Sequence, residues 1–194
     1  KGYRGFPASI CASVNEEVVH GIPGSRKLVE GDLLKVDAGV VWKGYYSDAA
    51  VSVPIGRVSD EARRLVDVTK KALQAGLSVV RAGVTISRIA SQIQAVAEGA
   101  GFSVVTEYTG HGIGRSLHEE PRVPNFVAPR MLFQNIVLEK GATIAIEPMV
   151  NAGTEKTEVL PNGWTVVTKD RRLSAHFEHT VAVDDAGPVI LTLP

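Results

Sequence analysis

Residues 33–53 read LLKVDAGVVWKGYYSDAAVSV, two aliphatic and β-branched runs on either side of Lys43-Gly44. That pattern predicts an antiparallel hairpin, Leu33 to Val41 against Tyr45 to Val53. With Lys43-Gly44 as a two-residue turn, Asp48 stands opposite Gly39. Gly39 shares a face with Asp37, so the register makes the two aspartates diagonal neighbours on one surface of the sheet. A slip of one residue would separate them. Burying a carboxylate among Val and Ala is costly unless it is paired or bound to a metal. Two carboxylates this close repel, and a divalent cation between them removes the repulsion. For either aspartate alone, a salt-bridged or turn-proximal strand residue is the plainer reading. For the pair, a cation site weighs equally.

Outward from the hairpin, Ser59-Asp60-Glu61 reads as the N-cap and acidic first turn of a helix. Ala62, Leu65, Val66, Thr69, Ala72, Leu73 and Gly76 follow at helical spacing, and the pattern fades near Gly83. A second helix is predicted from Thr85 or Ser87, with Ile86, Ile89, Ala90, Ile93, Val96 and Ala97 on one face and a stop at Gly99 to Gly101. The remainder reads mostly as strands: Val104 to Tyr108, Thr143 to Ile146, and Thr165 to Thr168 paired with Leu173 to Val183. Strands grouped around two consecutive helices predict an α+β fold with an antiparallel sheet. No linker or low-complexity stretch interrupts the 194 residues, so 1–194 is expected to form a single domain.

Hydrophobic residues make up 44% of the chain and charged residues 22%, with 21 basic and 21 acidic side chains. The zero balance argues against nucleic-acid binding through a strong basic field. One cysteine, Cys11, rules out an intramolecular disulfide and argues against cysteine-ligated zinc. It fits a reducing compartment, and a cytoplasmic location is expected. No apolar run reaches the roughly 18 to 20 residues that span a bilayer. The chain opens at Lys1 without Met, which reads as the lack of an N-terminal segment and leaves an organellar location open.

Other candidate chemistry is scattered. Glu147 ends the alternating run Thr143-Ile144-Ala145-Ile146 and is followed by Pro148. Glu178 shares a polar face with Ser174, His176 and Thr180, which suits a ligand, although for this residue alone a solvated outer face is the plainer reading. His179 falls with Ala175, Phe177 and Val181 and reads as a hydrogen-bonded core residue. His111 lies between glycines in GHGIG at 110–114, where the missing side chains let backbone pack close to whatever His111 binds. His118 follows seven residues later, and His20 leads into the turn Gly21-Ile22-Pro23-Gly24. Each histidine alone is more often structural. HExxH and GxSxG motifs are absent. Cys11 has no activating charge beside it, so it does not read as a nucleophile.

Six segments in one order are more specific: GYRGFPASIC at 2–11, VNEEVVHGIP at 14–23, GHGIG at 110–114, HEEP at 118–121, AIEPM at 145–149 and SAHFEHT at 174–180. From Gly2 to about Val183 the chain resembles the type I methionine aminopeptidases. Only 30 residues separate Glu147 from Glu178, which leaves no room for the helical insertion of type II. The resemblance implies the pita-bread α+β fold, two pseudo-symmetric halves around an antiparallel sheet with helices on the outer face. Only the second half has its helical pair here, so apolar sheet surface is expected to be exposed on the first. The resemblance also implies five ligands for two divalent ions: Asp48 and Glu178 as bridges, Asp37 on one ion, His111 and Glu147 on the other. Such donors accept Mn, Co, Fe(II) or Zn. Glu147 is implied as proton shuttle, His118 as oxyanion donor and His20 as the group positioning the scissile amide or leaving amine. A methionine pocket is implied at Tyr3, Phe6, Cys11, Leu117 and Trp164, with His20 and His118 also touching substrate. Bacterial relatives commonly have Phe at the Leu117 position, which implies a roomier wall. Asn15, Glu17 and Ser174 match positions that hold a monovalent cation in family members.

The implied activity is removal of the initiator methionine from nascent polypeptides, favouring a small second residue, because the free α-amine would bind a metal. The implied enzyme is a monomer with transient ribosome association, no membrane contact and no specific nucleic acid. A prolidase-like peptidase and a non-catalytic binding module are the competing readings.

Overall fold

The computed structural model describes residues 2–127 and 134–193. After a 3-10 turn at Tyr3–Gly5 come β1 (Cys11–Val14), β2 (Glu17–Val19), β3 (Leu33–Trp42) and β4 (Tyr45–Pro54). The helices α1 (Asp60–Leu77) and α2 (Ile86–Gly99) follow. Next are β5 (Ser103–Val104), β6 (Gly110–Gly112), β7 (Glu119–Val123), β8 (Thr143–Ile146) and β9 (Met149–Asn151). The chain ends through β10 (Thr157–Val159), β11 (Val166–Thr168), β12 (Ser174–His176), β13 (Glu178–Val183) and β14 (Pro188–Ile190). The main sheet runs β1-β3-β4-β13-β8-β6-β7, with β14 also on β13. Two three-stranded sheets, β10-β11-β2 and β12-β9-β5, flank it. Every pairing is antiparallel, as an α+β sheet of this kind requires.

The hairpin forms in the expected register, with Asp48 opposite Gly39 and Trp42 opposite Tyr45. Lys43 (φ 50°) and Gly44 (φ 80°) both take the left-handed region, as the turn that matches strand twist demands. Ser59 caps α1 by accepting from the Ala62 amide, a contact of about 1 kcal/mol. Leu65, Ala72 and Leu73 of α1 and Ile86, Ile89 and Ile93 of α2 are buried. They pack with Ile144, Ile146 and Val181 of β8 and β13, and with Leu33, Val104 and Val150. The side of β3–β4 away from the aspartates is bare: Val40, Trp42, Tyr45, Val51 and Val53 are exposed. Among the described residues, no helix is long and apolar enough to cross a membrane.

Four expectations are corrected. Thr165–Thr168 does not pair with Leu173–Val183; β11 lies between β10 and β2. The 173–183 run is two strands, because at Phe177 the chain leaves the β9 partner and joins β4 and β8. Of Val104–Tyr108 only Val104 belongs to a strand, the second residue of β5, since beyond Val105 the chain has left β9. α1 stops at Leu77, not near Gly83, because Val80 turns into the core and Gly83 is a left-handed turn residue whose amide bonds Leu138.

Candidate metal centre

Two neighbouring rows of residues on one face of the sheet make the site. In the first, Cys11 faces Asp37, Asp37 faces Ala50 and Ala50 faces Glu178. His179 faces Ile146, so the same register carried one step past β8 sets Glu147 beside Glu178. In the second row, Gly39 faces Asp48, and Ala145 stands between Thr180 and His111. Asp48 is tied to Thr180 by two 2.8 Å hydrogen bonds, its amide to Oγ1 and Oγ1 to its carbonyl. Small residues, Gly39, Ala50 and Ala145, alternate with the acids and His111, so the rows leave space above the sheet.

The donor atoms of Asp48, His111 and Glu178 lie within 4.8 Å of one another. His111 Nε2 is 3.5 Å from Glu147 Oε1. Asp37 shares side-chain hydrogen bonds with Asp48 and with the Cys11 thiol. The tautomer of His111 follows from its neighbour: Nδ1 lies 2.8 Å from the Gly112 carbonyl, which can only accept. Nδ1 therefore carries the proton, and Nε2 turns its lone pair towards the acids. The glycines around His111 serve the main chain, which corrects the expected role. A Cβ on Gly110 would lie 2.3 Å from the Ala145 carbonyl oxygen, and one on Gly112 would lie 2.2 Å from that of Glu120. Bare backbone lets β6 sit between β7 and β8.

Burial raises all four carboxyl groups, and repulsion between neighbouring acids adds to it at Asp48, Glu147 and Glu178. Asp48 is pushed up to about 8 by burial and then by Asp37. Asp37 is raised by burial. Glu147 and Glu178 stand well above the ordinary carboxylate range, again through burial and the neighbouring acids. Glu178 is 3% exposed, and its Oε1 has no hydrogen-bond partner among the described residues. A buried carboxylate oxygen facing other acids without a donor is what a divalent cation satisfies. The donor set fits a metal.

This arrangement has a pH signature. The folded metal-free protein holds protons that unfolded carboxyls lose above about pH 4. Its stability therefore falls as pH rises from there through about 8, the folded value of Asp48. Metal must displace those protons. Adding Mn(II) should acidify a weakly buffered sample at pH 6.5 and raise the melting temperature, by more at pH 8 than at pH 6. Calorimetry in two buffers and thermal melts check this; a pH-independent gain without proton release would contradict it.

The expected catalytic histidines and pocket residues line the same cavity of about 740 Å³. Tyr3 Oη is 2.7 Å from His118 Nδ1, and the His118 and His111 rings are 4.2 Å apart. The loop bearing Leu117 and His118 is fastened where Glu119 Oε1 accepts from the Ser116 amide. Phe6 meets Trp164 edge to face at 5.1 Å. His20 stands edge-on to Tyr108 at 5.9 Å and to Trp164 at 6.5 Å. Its backbone is left-handed (φ 58°), a strain of about 1–3 kcal/mol. Hydrogen bonds of Gly21, to Ser13 Oγ and from the Ala12 amide, hold it there. Leu117 rests over Gly39, 3.2 Å from where a Cβ would be. The Cys11 thiol is raised by burial and by Asp37 and Asp48, which leaves it unreactive.

Asn15, Glu17 and Ser174 lie off the cavity wall; the Ser174 amide donates to the Asn15 carbonyl at 3.1 Å, and Glu17 accepts from the Val14 amide across the same turn. His179 is half-buried rather than core, paired to β4 and β8 on either side, with Nδ1 2.8 Å from Thr192 Oγ1 of the segment that follows β14 and lies against it. Two residues were missed. His176 is buried, its Nε2 without a hydrogen-bond partner among the described residues and 3.7 Å from Glu147 Oε2, so Glu147 sits between two imidazoles. Its place on the Ser174–Glu178 face was the available signal. Lys35, two residues before Asp37, is 1% exposed. Burial lowers its pKa to about 7 against the opposing pull of Glu17 and Glu16.

Comparison with known proteins agrees with this geometry. Residues 1–185 match the model of metallopeptidase family M24. The methionine aminopeptidase of Borreliella burgdorferi is 50% identical over 192 residues, covering 99% of this chain and 76% of that protein. Methionine aminopeptidase 1 of Bacillus subtilis is 47% identical with the same coverage. The crystal structure of methionine aminopeptidase from Thermotoga maritima superposes with a TM-score of 0.95 at 43% identity, covering 100% of this chain and 77% of that one. Prolidase from Pyrococcus furiosus, at 20% identity and a TM-score of 0.77, shares the fold alone. The architecture is thus the pita-bread fold of these enzymes. The chain belongs to metallopeptidase family M24, among its methionine aminopeptidases.

Proposed function

We propose that this protein is a metal-dependent aminopeptidase that removes the initiator methionine from nascent polypeptides in the cytoplasm, favouring a small second residue. The observation that carries this reading is the pair of rows that sets Asp37, Asp48, His111, Glu147 and Glu178 on one face beneath the cavity. These five residues would hold two divalent ions of the Mn, Co, Fe(II) or Zn class. Ions bound there supply Lewis acidity to the scissile carbonyl and the attacking water.

The side chains do the rest. Glu147, whose carboxyl is raised by burial, Asp37 and Asp48, has the proton affinity to take a proton from water and pass it to the leaving amine. His118 is lowered to about 4, chiefly by burial, and is neutral at pH 7. With the Tyr3 hydroxyl donating to Nδ1, Nε2–H is left to donate to the developing oxyanion. His20 is likewise kept neutral by burial and orients the amide from the opposite wall. Phe6, Trp164, Tyr3, Cys11 and Leu117 give the methionine thioether an apolar, polarisable surface.

Metal-loaded protein should release methionine from a Met-Ala-Ser peptide and stop when chelator is added. Preferred cleavage of an Ala-Pro peptide would move the reading to a prolidase. Intact peptides with Mn, Co, Fe(II) and Zn alike would remove it.

A further inference from the structure

Lys35 is a large, fully buried side chain, and among the described residues its partner is a main-chain carbonyl. Nζ donates to the Asn15 carbonyl at 2.7 Å, and the Ser174 amide donates to the same oxygen at 3.1 Å. No carboxylate lies within ion-pair distance of it among the described residues. A cation buried under a metal centre and held by peptide oxygen is bound as a potassium or sodium ion is bound.

The surroundings show what it fastens. Asn15 is left-handed (φ 55°) and forms the turn between β1 and β2. Its amide bonds the Leu33 carbonyl at 2.8 Å, and its side chain spans Asp32 and the Leu33 amide. Glu17 Oε2 accepts from the Val14 amide at 2.7 Å across the same turn. Lys35 stands on the face of β3 that carries Asp37, two residues before it. One ammonium thus joins the His20 strand, the Asp37 strand and the Ser174–Glu178 segment.

We infer that the Lys35 ammonium takes the place of a monovalent cation at the Asn15–Ser174 junction, so that this protein works without one. Lys35 is a positioning residue: it touches no substrate and acts by fixing the strands that carry His20, Asp37 and Glu178. The kinetic arm of the test rests on the aminopeptidase reading; the melting arm does not.

The test compares the full chain in potassium, sodium and choline chloride at constant ionic strength and at pH 6, below the value of about 7 to which burial lowers Lys35. Wild type should show the same melting temperature in all three and the same methionine release, and should bind no thallium(I). Lys35→Ser opens room for an ion. In choline it should lose about tenfold in activity and several degrees of melting temperature, both recovered with saturation by potassium or sodium. Lys35→Met fills the space without charge and should be impaired equally in every salt. A wild type that needs potassium, or a Lys35→Ser protein that no monovalent cation restores, overturns the inference. Should Lys35→Ser fail to fold even in potassium, that too counts against it, because a free cation then cannot stand in for the ammonium. If peptide cleavage is absent throughout, the melting and thallium measurements still decide between these outcomes.

Discussion

Glu178→Gln should cut metal-dependent peptide cleavage by on the order of a thousandfold and, in the same molecule, raise the melting temperature of the metal-free protein. The loss follows from position. Glu178 stands within 4.8 Å of Asp48 and His111 through its donor atoms and beside Glu147 in register. Losing that carboxylate costs several kcal/mol of charge stabilisation, and each 1.36 kcal/mol is about a factor of ten in rate. The gain follows from burial. Glu178 is raised by burial and then by Glu147, Asp48 and Asp37, so ionising it without metal is unfavourable. Gln keeps the shape and cannot ionise. Wild type pays that cost increasingly as pH rises, so the variant's advantage should widen between pH 6 and pH 8.5. Kinetics at saturating Mn(II) and melts in chelator measure the two halves. A variant within tenfold of wild-type activity, or one that melts lower than wild type in chelator at pH 8.5, would refute the role.

His118→Ala should lower kcat by about a hundredfold to a thousandfold, the scale of a lost oxyanion donor, with a smaller change in KM. Tyr3→Phe should move kcat in the same direction by about tenfold, because it removes the hydroxyl that holds Nδ1 of His118 at 2.7 Å. Neither change touches the bond between His111 Nδ1 and the Gly112 carbonyl, so divalent-metal affinity should hold in both. Steady-state kinetics beside calorimetric metal titration separate the roles. Loss of metal affinity in Tyr3→Phe would make Tyr3 a structural support of the centre. Unchanged kcat in His118→Ala would remove that residue from the chemistry.

The sequence and the structure divide the site between them along a physical line. The Asp37–Asp48 relation was legible because one tight turn sets the register of a ten-residue hairpin, and turn geometry is local. The helices were legible for the same reason, through the Ser59 cap and a 3.6-residue period. Strand order was not. Thr165–Thr168 looked like a partner for the 173–183 run, yet its mates are β10 and β2. Alternation says that a strand exists and which side chains share a face; it carries nothing about which distant strand closes against it.

What the sequence by itself determined is the hairpin with its paired acids, the two amphipathic helices and, through six ordered motifs, the family. Only the tertiary structure decided that Glu147 follows Glu178 across the sheet, that His176 closes on Glu147, and that the Lys35 ammonium lies against the Asn15 carbonyl. Those contacts join residues 20 to 31 positions apart or lie across strand pairings between them. They exist because the β1–β3 and β13–β8 pairings and the packing of β12 on β9 bring the segments together. Neighbouring residues in the chain choose a local conformation. The charges that have to be buried side by side are chosen by the closing of the sheet.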